Sequence, residues 1–544
     1  MKLSWSLVGR IGLPRAVAIS AGALLSLPIL VDLALSPRTR SFDFLAPDAF
    51  YYFTVARHIS RLGAISFDQE HATNGFHPLW QALLAACHWW LDRLSIDESQ
   101  LLLLSLVLGA VLSGLGVYLL GRAAALESGK LSVLFVGVPL GLLSLVFLPW
   151  MDRWTSMWGA VNGMETCLVL LFFGMTAGLY VRQSSALRDS FFLGAALSLL
   201  TLSRLDHGIF AALLIASLWL RKRSLRQAAL VSSLWLSSLA VYLLVNRLYS
   251  GMWLPVSGTI KSTFPKITDD NIGLLRQFSA GAHVIDSLVG RGIVLFAPMA
   301  VAAAFLPYAL CIHFWKKGLS RYQAFLAVTA LGVIALGLYD FLYVPTFNMG
   351  RWYFPVSTLF ASLFALDAVG HIPWPTLGTP APAILLGVLA ASVLALDIHY
   401  RVPPGIGGRS SHFYYEEAPK VAAYYGGHVP PLVEYDDGIV AFATGAKALS
   451  GWGLAIDRDA VESAKSIAKQ SLPHGLMDLA LERGYERCAT LFYAGVPLAK
   501  DSSDKTIRQA YRFLLSRSSR GYRFSVEYLS DDQRFSIVKA EPRK

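Results

Sequence analysis

Apolar runs of about 18 to 22 residues recur through the first 400 positions of this chain, the length that carries an α-helix across a bilayer. In hydrocarbon the backbone has no water to bond, so such a run must be a helix that satisfies its own N–H and C=O groups. Spans are expected at 16–36, 100–121, 131–149, 164–181, 189–203, 208–220, 228–248, 292–314, 322–342, 353–369 and 381–398. The fold class that follows is mainly α, a polytopic membrane domain of about eleven transmembrane helices. Composition agrees: 55% of the 544 residues are hydrophobic and 15% charged, where soluble proteins carry about 25% charged. That balance excludes a disordered chain, a fibrous repeat and a soluble nucleic-acid binder. Four cysteines without a CxxC pair exclude a disulfide scaffold and a thiolate metal site. The first run exceeds a signal-peptide core and lacks a cleavage site, so it is expected to stay as the first helix.

The net charge of +11 is organised by topology rather than aimed at nucleic acid. Lys2, Arg10 and Arg15 precede the first span and place the N-terminus in the cytoplasm. Alternate loops then hold Arg122 and Lys130, Arg182 and Arg188, Arg221 to Arg226, and Lys316 to Arg321, as the positive-inside rule requires. His77–Leu91 is apolar but short. It is kept on the outer face, since a twelfth span there would reverse every later loop. Composition breaks near residue 400. Positions 401–544 hold 37 charged side chains against 46 in the 400 before them. The expected division is therefore a membrane domain, 1–400, and a soluble periplasmic α/β domain, 401–544. Helical patches are expected there at Ala460–Lys469, Gly475–Arg483 and Thr506–Arg517. Strand-like runs occupy Gly438–Ala443, Cys488–Ala494, Tyr522–Tyr528 and Phe535–Ala540.

Ionisable groups at a membrane edge are costly and mark functional sites. Here they collect in the outer loops. From Asp48 an amphipathic helix is expected, with Tyr52, Val55, Ala56, Ile59 and Leu62 on one stripe. Thr54, Arg57, His58 and Arg61 face lipid phosphates on the other. Asp48 either caps that helix or faces a cavity. Asn74 and His77 sit in a Gly–Pro turn beside aromatics. Glu165 opens an apolar helix, as a dipole partner or a site residue. Arg204, Asp206 and His207 are flanked by apolar residues on both sides, as an internal ion pair or a site. Ser257, Gly258 and Lys261 form a turn with an adjacent cation able to receive phosphate. Arg351 and Tyr353 place another cation beside aromatics. The inventory suits transfer from a phosphate-activated, membrane-held donor: a carboxylate deprotonates an acceptor hydroxyl and cations stabilise the leaving phosphate. Tyr414, Tyr415, Tyr424, Tyr425 and Trp452 of the tail are expected in its core rather than stacked on sugars.

An acidic first outer loop, an amphipathic helix, many spans and a soluble tail resemble the GT-C superfamily of membrane glycosyltransferases. More narrowly, Asp48–Tyr52, TNGFHPLW at 73–80, NGMET at 162–166 and SRLD at 203–206 resemble one bacterial branch. PVSGTIKS at 255–262, GRWY at 350–353 and DDGIVAF at 436–442 do so too. That branch is related to the terminal arabinofuranosyltransferases of mycobacterial envelopes. The resemblance implies a polyprenyl-phosphate sugar donor, a glycan, lipid or protein acceptor of the envelope, and an inverting reaction on the periplasmic face of a bacterial inner membrane. It makes Asp48 the general base. Glu165, Asp206 and His77 would shape the pocket, and Lys261, Arg351 and Arg204 would hold phosphate. The branch carries two adjacent acids where this chain has Pro47–Asp48, so either Asp48 alone suffices or Asp43 or Glu165 supplies the second carboxylate. That departure disfavours a divalent metal, and no other cofactor is expected. A flippase of lipid-linked sugars, or an inactive scaffold of envelope assembly, is the alternative. A transporter, however, keeps its polar groups near the midplane and often shows inverted repeats.

Overall fold

The computed structural model describes residues 22–23, 26–27, 29–128, 161–182, 186–220, 225–261, 287–316, 318–344, 353, 355–370, 410–436, 438–451, 455–467, 476–491, 498–511 and 521–543. The expected spans 131–149 and 381–398, the loop carrying Asp152 and Arg153, and Arg351 and Trp452 lie outside them. In chain order the elements begin with α1 (Arg40–Phe44), α2 (Ala49–Leu62), α3 (Pro78–Arg93), α4 (Ser99–Ser128), α5 (Thr166–Arg182), α6 (Leu187–Ser203) and α7 (Gly208–Leu220). Then come α8 (Leu225–Ser250), α9 (Val256–Lys261), α10 (Ser287–Lys316), α11 (Arg321–Tyr343), α12 (Pro355–Gly370) and α13 (Ala418–Tyr424). The tail continues with β1 (Leu432–Glu434), α14 (Ile439–Thr444), β2 (Ala448–Ser450), α15 (Arg458–Ile467), α16 (Leu476–Glu482), β3 (Arg487–Thr490), α17 (Asp504–Ala510), β4 (Tyr522–Leu529) and β5 (Ser536–Pro542).

The chain divides into two compact units. One gathers Met1–Arg38, Ser105–Val241 and Ser262–Pro403; the other gathers Thr39–Leu104, Tyr242–Lys261 and Pro404–Lys544. The second therefore takes in the outer loop and the 242–261 stretch along with the tail, where the sequence division had kept all of 1–400 together.

The first unit is helical and membrane-built. Among the described residues three helices are long and apolar enough to cross a bilayer: Ser99–Ala124, Leu225–Ser250 and Arg321–Tyr343. Thr166–Arg182, Leu205–Leu220 and Pro298–Phe314 are shorter apolar helices. Phe173, Phe210, Phe305, Phe325 and Phe360, all at most 1% exposed, fill the core between α5, α7, α10, α11 and α12. The α4 and α5 backbones touch through Gly116 and Gly174, where a Cβ would fall 2.4 to 2.5 Å from the facing backbone. Only glycine permits that approach. A Ser320–Gln323 capping box starts α11.

The second unit is built around a mixed five-stranded sheet, ordered β2-β1-β3-β5-β4. β1 pairs in parallel with β2 and β3, while β5 runs antiparallel to β3 and β4. Three expectations change here. The strand-like run 438–443 is a helix, α14. It begins at Gly438, whose φ of +100° suits glycine, and a Cβ there would meet the Phe50–Tyr51 backbone at 2.8 Å. Three of the four residues of the α2 stripe are buried, while Arg61 stays exposed and pairs with Asp92. Thr54, Arg57 and His58 are at most 5% exposed, and Arg57 donates to the carbonyls of Ala441 (2.7 Å) and Phe442 (2.8 Å). The last carbonyls of a helix lack internal partners and carry partial negative charge, so a guanidinium is well placed there. Burial pushes the His58 imidazole down to about 4, so it sits neutral, its Nδ1–H on the Ser66 carbonyl at 2.8 Å. α3 is 16 residues long, about 24 Å, short of a ~30 Å hydrocarbon core. In the tail, Tyr415 (41%) and Tyr424 (56%) are exposed rather than core residues.

Candidate active site

The membrane unit draws five of the expected residues into one largely buried cluster. α6 ends at Ser203, Arg204 is extended, and one tight turn, Leu205–His207, leads into α7. That break aims the Arg204 side chain at the start of α5. Its Nη1 donates to Glu165 Oε1 at 3.1 Å and its Nε to Asp206 Oδ2 at 3.0 Å. The guanidinium lies 4.0 Å from the Tyr353 ring centroid. His207 Nδ1 lies 2.7 Å from Asp206 Oδ1. Glu165 is 1% exposed, Arg204 2% and His207 0%. The expected Arg204–Asp206 pair thus forms, and Glu165 joins it instead of acting only on a helix dipole. Apolar surroundings strengthen each bond.

One member of this cluster went unnoticed in the sequence. Asp340, in the last turn of α11, is 0% exposed, and Arg204 and Asp206 are the charged groups within electrostatic reach of it. The signal was there: a lone acid in an otherwise apolar span.

The outer unit carries the other expected residues. Asp48 precedes α2 in helical conformation, and its side chain makes no capping bond. The simple capping role is thereby removed. The hydroxyl of Tyr52, one turn along, accepts the His77 backbone N–H at 3.2 Å, which brings the TNGFHPLW turn onto the start of α2. Pro78 then opens α3 after an extended His77. Asn74 is 3% exposed. It accepts from Val256 N–H at 2.9 Å and donates to the Leu254 carbonyl at 3.2 Å. Its amide thus fixes the start of α9, which carries Ser257 and Lys261, so two sequence motifs meet through one side chain. Asp43, a candidate second acid, pairs with Arg40 at 3.3 Å.

One group in this unit has metal-ligand chemistry. Ligand atoms of Asp68, His71 and Asp457 lie within 4.8 Å of one another. Protein groups already hold them. Asp68 accepts from Ser66, His71 and Tyr485. Arg483 forks onto both oxygens of Asp457 and, against the effect of burial, keeps its carboxyl below the usual range. The set reads as an ion network tying the outer loop to the tail.

No family model and no curated protein matches this chain. Solved structures do. ArnT from Cupriavidus metallidurans bound to undecaprenyl phosphate superposes with a TM-score of 0.54 at 13% identity, over 98% of this chain and 100% of that one. Its apo state gives 0.52 at 12%, over 95% and 98%. The chain shares the fold of these ArnT structures, helical body and small sheet together. At this identity the likeness speaks for the fold alone, and the arabinofuranosyltransferase branch rests on the sequence motifs.

Proposed function

We propose that the protein is a membrane glycosyltransferase that moves a sugar from a polyprenyl-phosphate donor to an envelope acceptor on the periplasmic face. The observation that carries this reading is Asp48: on a GT-C fold, a carboxylate opens the helix of the first outer loop without capping it. Asp48 takes the proton of an acceptor hydroxyl, whose oxygen attacks the anomeric carbon. The bond from that carbon to the phosphate oxygen breaks, and polyprenyl phosphate leaves with the electron pair. A single displacement of this kind inverts the anomeric centre. The undecaprenyl phosphate bound by ArnT supports the lipid-phosphate class of donor.

Within the membrane unit Glu165 and Asp206 are occupied by Arg204, which suits that arginine to setting pocket shape more than to receiving phosphate. The phosphate role then falls to Lys261 and Arg351, with Ser257 at the turn before Lys261. His77 and Tyr353 line the donor and acceptor sites. In the reconstituted full chain, Asp48→Asn is expected to cut transfer by about 10²- to 10⁴-fold, the usual worth of a general base. Capture of the donor lipid, read by mass spectrometry of the bound headgroup, should persist. Lys261→Ala and Arg351→Ala should weaken that capture instead. Undiminished transfer by Asp48→Asn would remove Asp48 as the base, and a wild-type chain without transfer activity would return the protein to the flippase or scaffold class.

A further inference from the structure

Two groups of the membrane-unit cluster have bonding capacity that the protein leaves unused. Among the described residues, Asp340 is the one fully buried carboxyl with both oxygens lacking a hydrogen-bond partner. His207 is also 0% exposed, and its Nε2 lacks a partner. The other ring nitrogen lies 2.7 Å from Asp206 Oδ1. His207 opens α7 and Asp340 closes α11. These helices pack together, with the Phe210 ring seated on Gly332. The cluster therefore holds three buried polar atoms without a protein partner.

Leaving buried acceptors bare costs free energy that a merely structural site would avoid. A chain selected only for stability would carry Leu or Asn at 340. A ligand that reaches the cluster would supply the missing partners. A cation is disfavoured, because Arg204 already stands within electrostatic reach of Asp340. Neutral hydroxyls fit: two neighbouring O–H groups can bond the two oxygens of one carboxylate, while a third bonds Nε2.

We propose that Asp340 and His207 form the hydroxyl-recognising wall of the donor-sugar subsite. They would distinguish a glycosylated polyprenyl phosphate from the bare lipid. This rests on the glycosyltransferase reading and assigns the sugar, not the phosphate, to the α7–α11 end of the membrane unit.

The test uses the purified full chain in nanodiscs. Its probes are undecaprenyl phosphate and a set of undecaprenyl-phosphate pentoses and hexoses. Wild-type protein should prefer at least one sugar lipid over the bare lipid. Asp340→Asn and Asp340→Leu should reduce that preference about tenfold or more, with bare-lipid affinity within about twofold of wild type. His207→Phe should act in the same direction. Thermal melting should stay level or rise in the Asp340 variants, since a bare buried acid has been removed. Variants that keep the sugar preference, or that lose both lipids equally with a lowered melting point, overturn the wall and leave the glycosyltransferase reading standing. A wild-type chain indifferent to every sugar overturns both.

Discussion

Each unit of this protein buries an arginine against an aromatic ring, and the two arginines are settled by different means. Arg57 of the outer unit lies 5.3 Å from the Phe442 ring and donates to two backbone carbonyls and to Glu98. Arg204 of the membrane unit lies 4.0 Å from the Tyr353 ring and donates to two carboxylates. The first joins pieces of chain nearly 400 residues apart. It also complements a helix whose other end is equally provided for, because Glu434 accepts the Ala441 N–H at 2.8 Å. The second belongs to a group in which Asp340 and His207 still hold polar atoms without a protein partner. Around Arg57, Glu98 and Glu434 each keep one oxygen bonded, whereas Asp340 near Arg204 has neither; the first arrangement is architecture, and the second prepares a place for something else.

The sharpest way to probe the architectural side is through pH. Burial raises the Glu434 carboxyl to about 8 and the Asp436 carboxyl to about 7, against ordinary values of 4.5 and 3.8. These groups hold a proton in the folded state that the unfolded chain gives up. Their stabilisation is complete below about pH 4, is lost progressively as pH rises, and is gone above about pH 8. Melting of the full chain in detergent, followed by protease cleavage within the tail, should drop over that window. For Glu434 alone the drop is up to about 5 kcal/mol, at ~1.4 kcal/mol for each tenfold change in proton affinity. Glu434→Gln should flatten the profile, and a level wild-type profile would show that the carboxyls ionise freely. Next in size, Arg57→Ala should cost about 3–5 kcal/mol by stranding Glu98 and two carbonyls, read as faster proteolysis of the outer unit. If instead the fold holds and transfer alone fails, the contrast between the arginines collapses. Smallest, Asp206→Asn should lower transfer about tenfold while stability changes by less than ~1 kcal/mol, because Glu165 still holds Arg204. Melting loss without loss of turnover would make that cluster architecture too.

Much of this contrast was legible in the residues and some was not. Apolar runs announce membrane helices because hydrocarbon tolerates nothing else, and SRLDH between two such runs announces a buried pair. Arg57 misleads because an amphipathic period shows that a helix has two faces and not what covers each. Here the cover comes from a tail some 380 residues away in sequence. The run 438–443 is β-branched and apolar enough for a strand. Yet Gly438 in a left-handed conformation and the carboxyl of Glu434 beneath it favour one short turn of helix, and both are tertiary facts. Asp340 was visible as an isolated acid, but its significance needed the burial of both oxygens.

The bond from Thr54 to the Gly438 carbonyl spans 384 residues, and that separation sets a timetable. At ordinary rates of synthesis the outer loop would wait roughly 20 to 80 s for the tail that bonds Thr54 and Arg57. In that interval the loop is a client for chaperones and a target for proteases, and the tail made alone would emerge with an uncovered seat on α14. Supplying residues 39–104 in trans should rescue a separately produced tail better than any change of buffer.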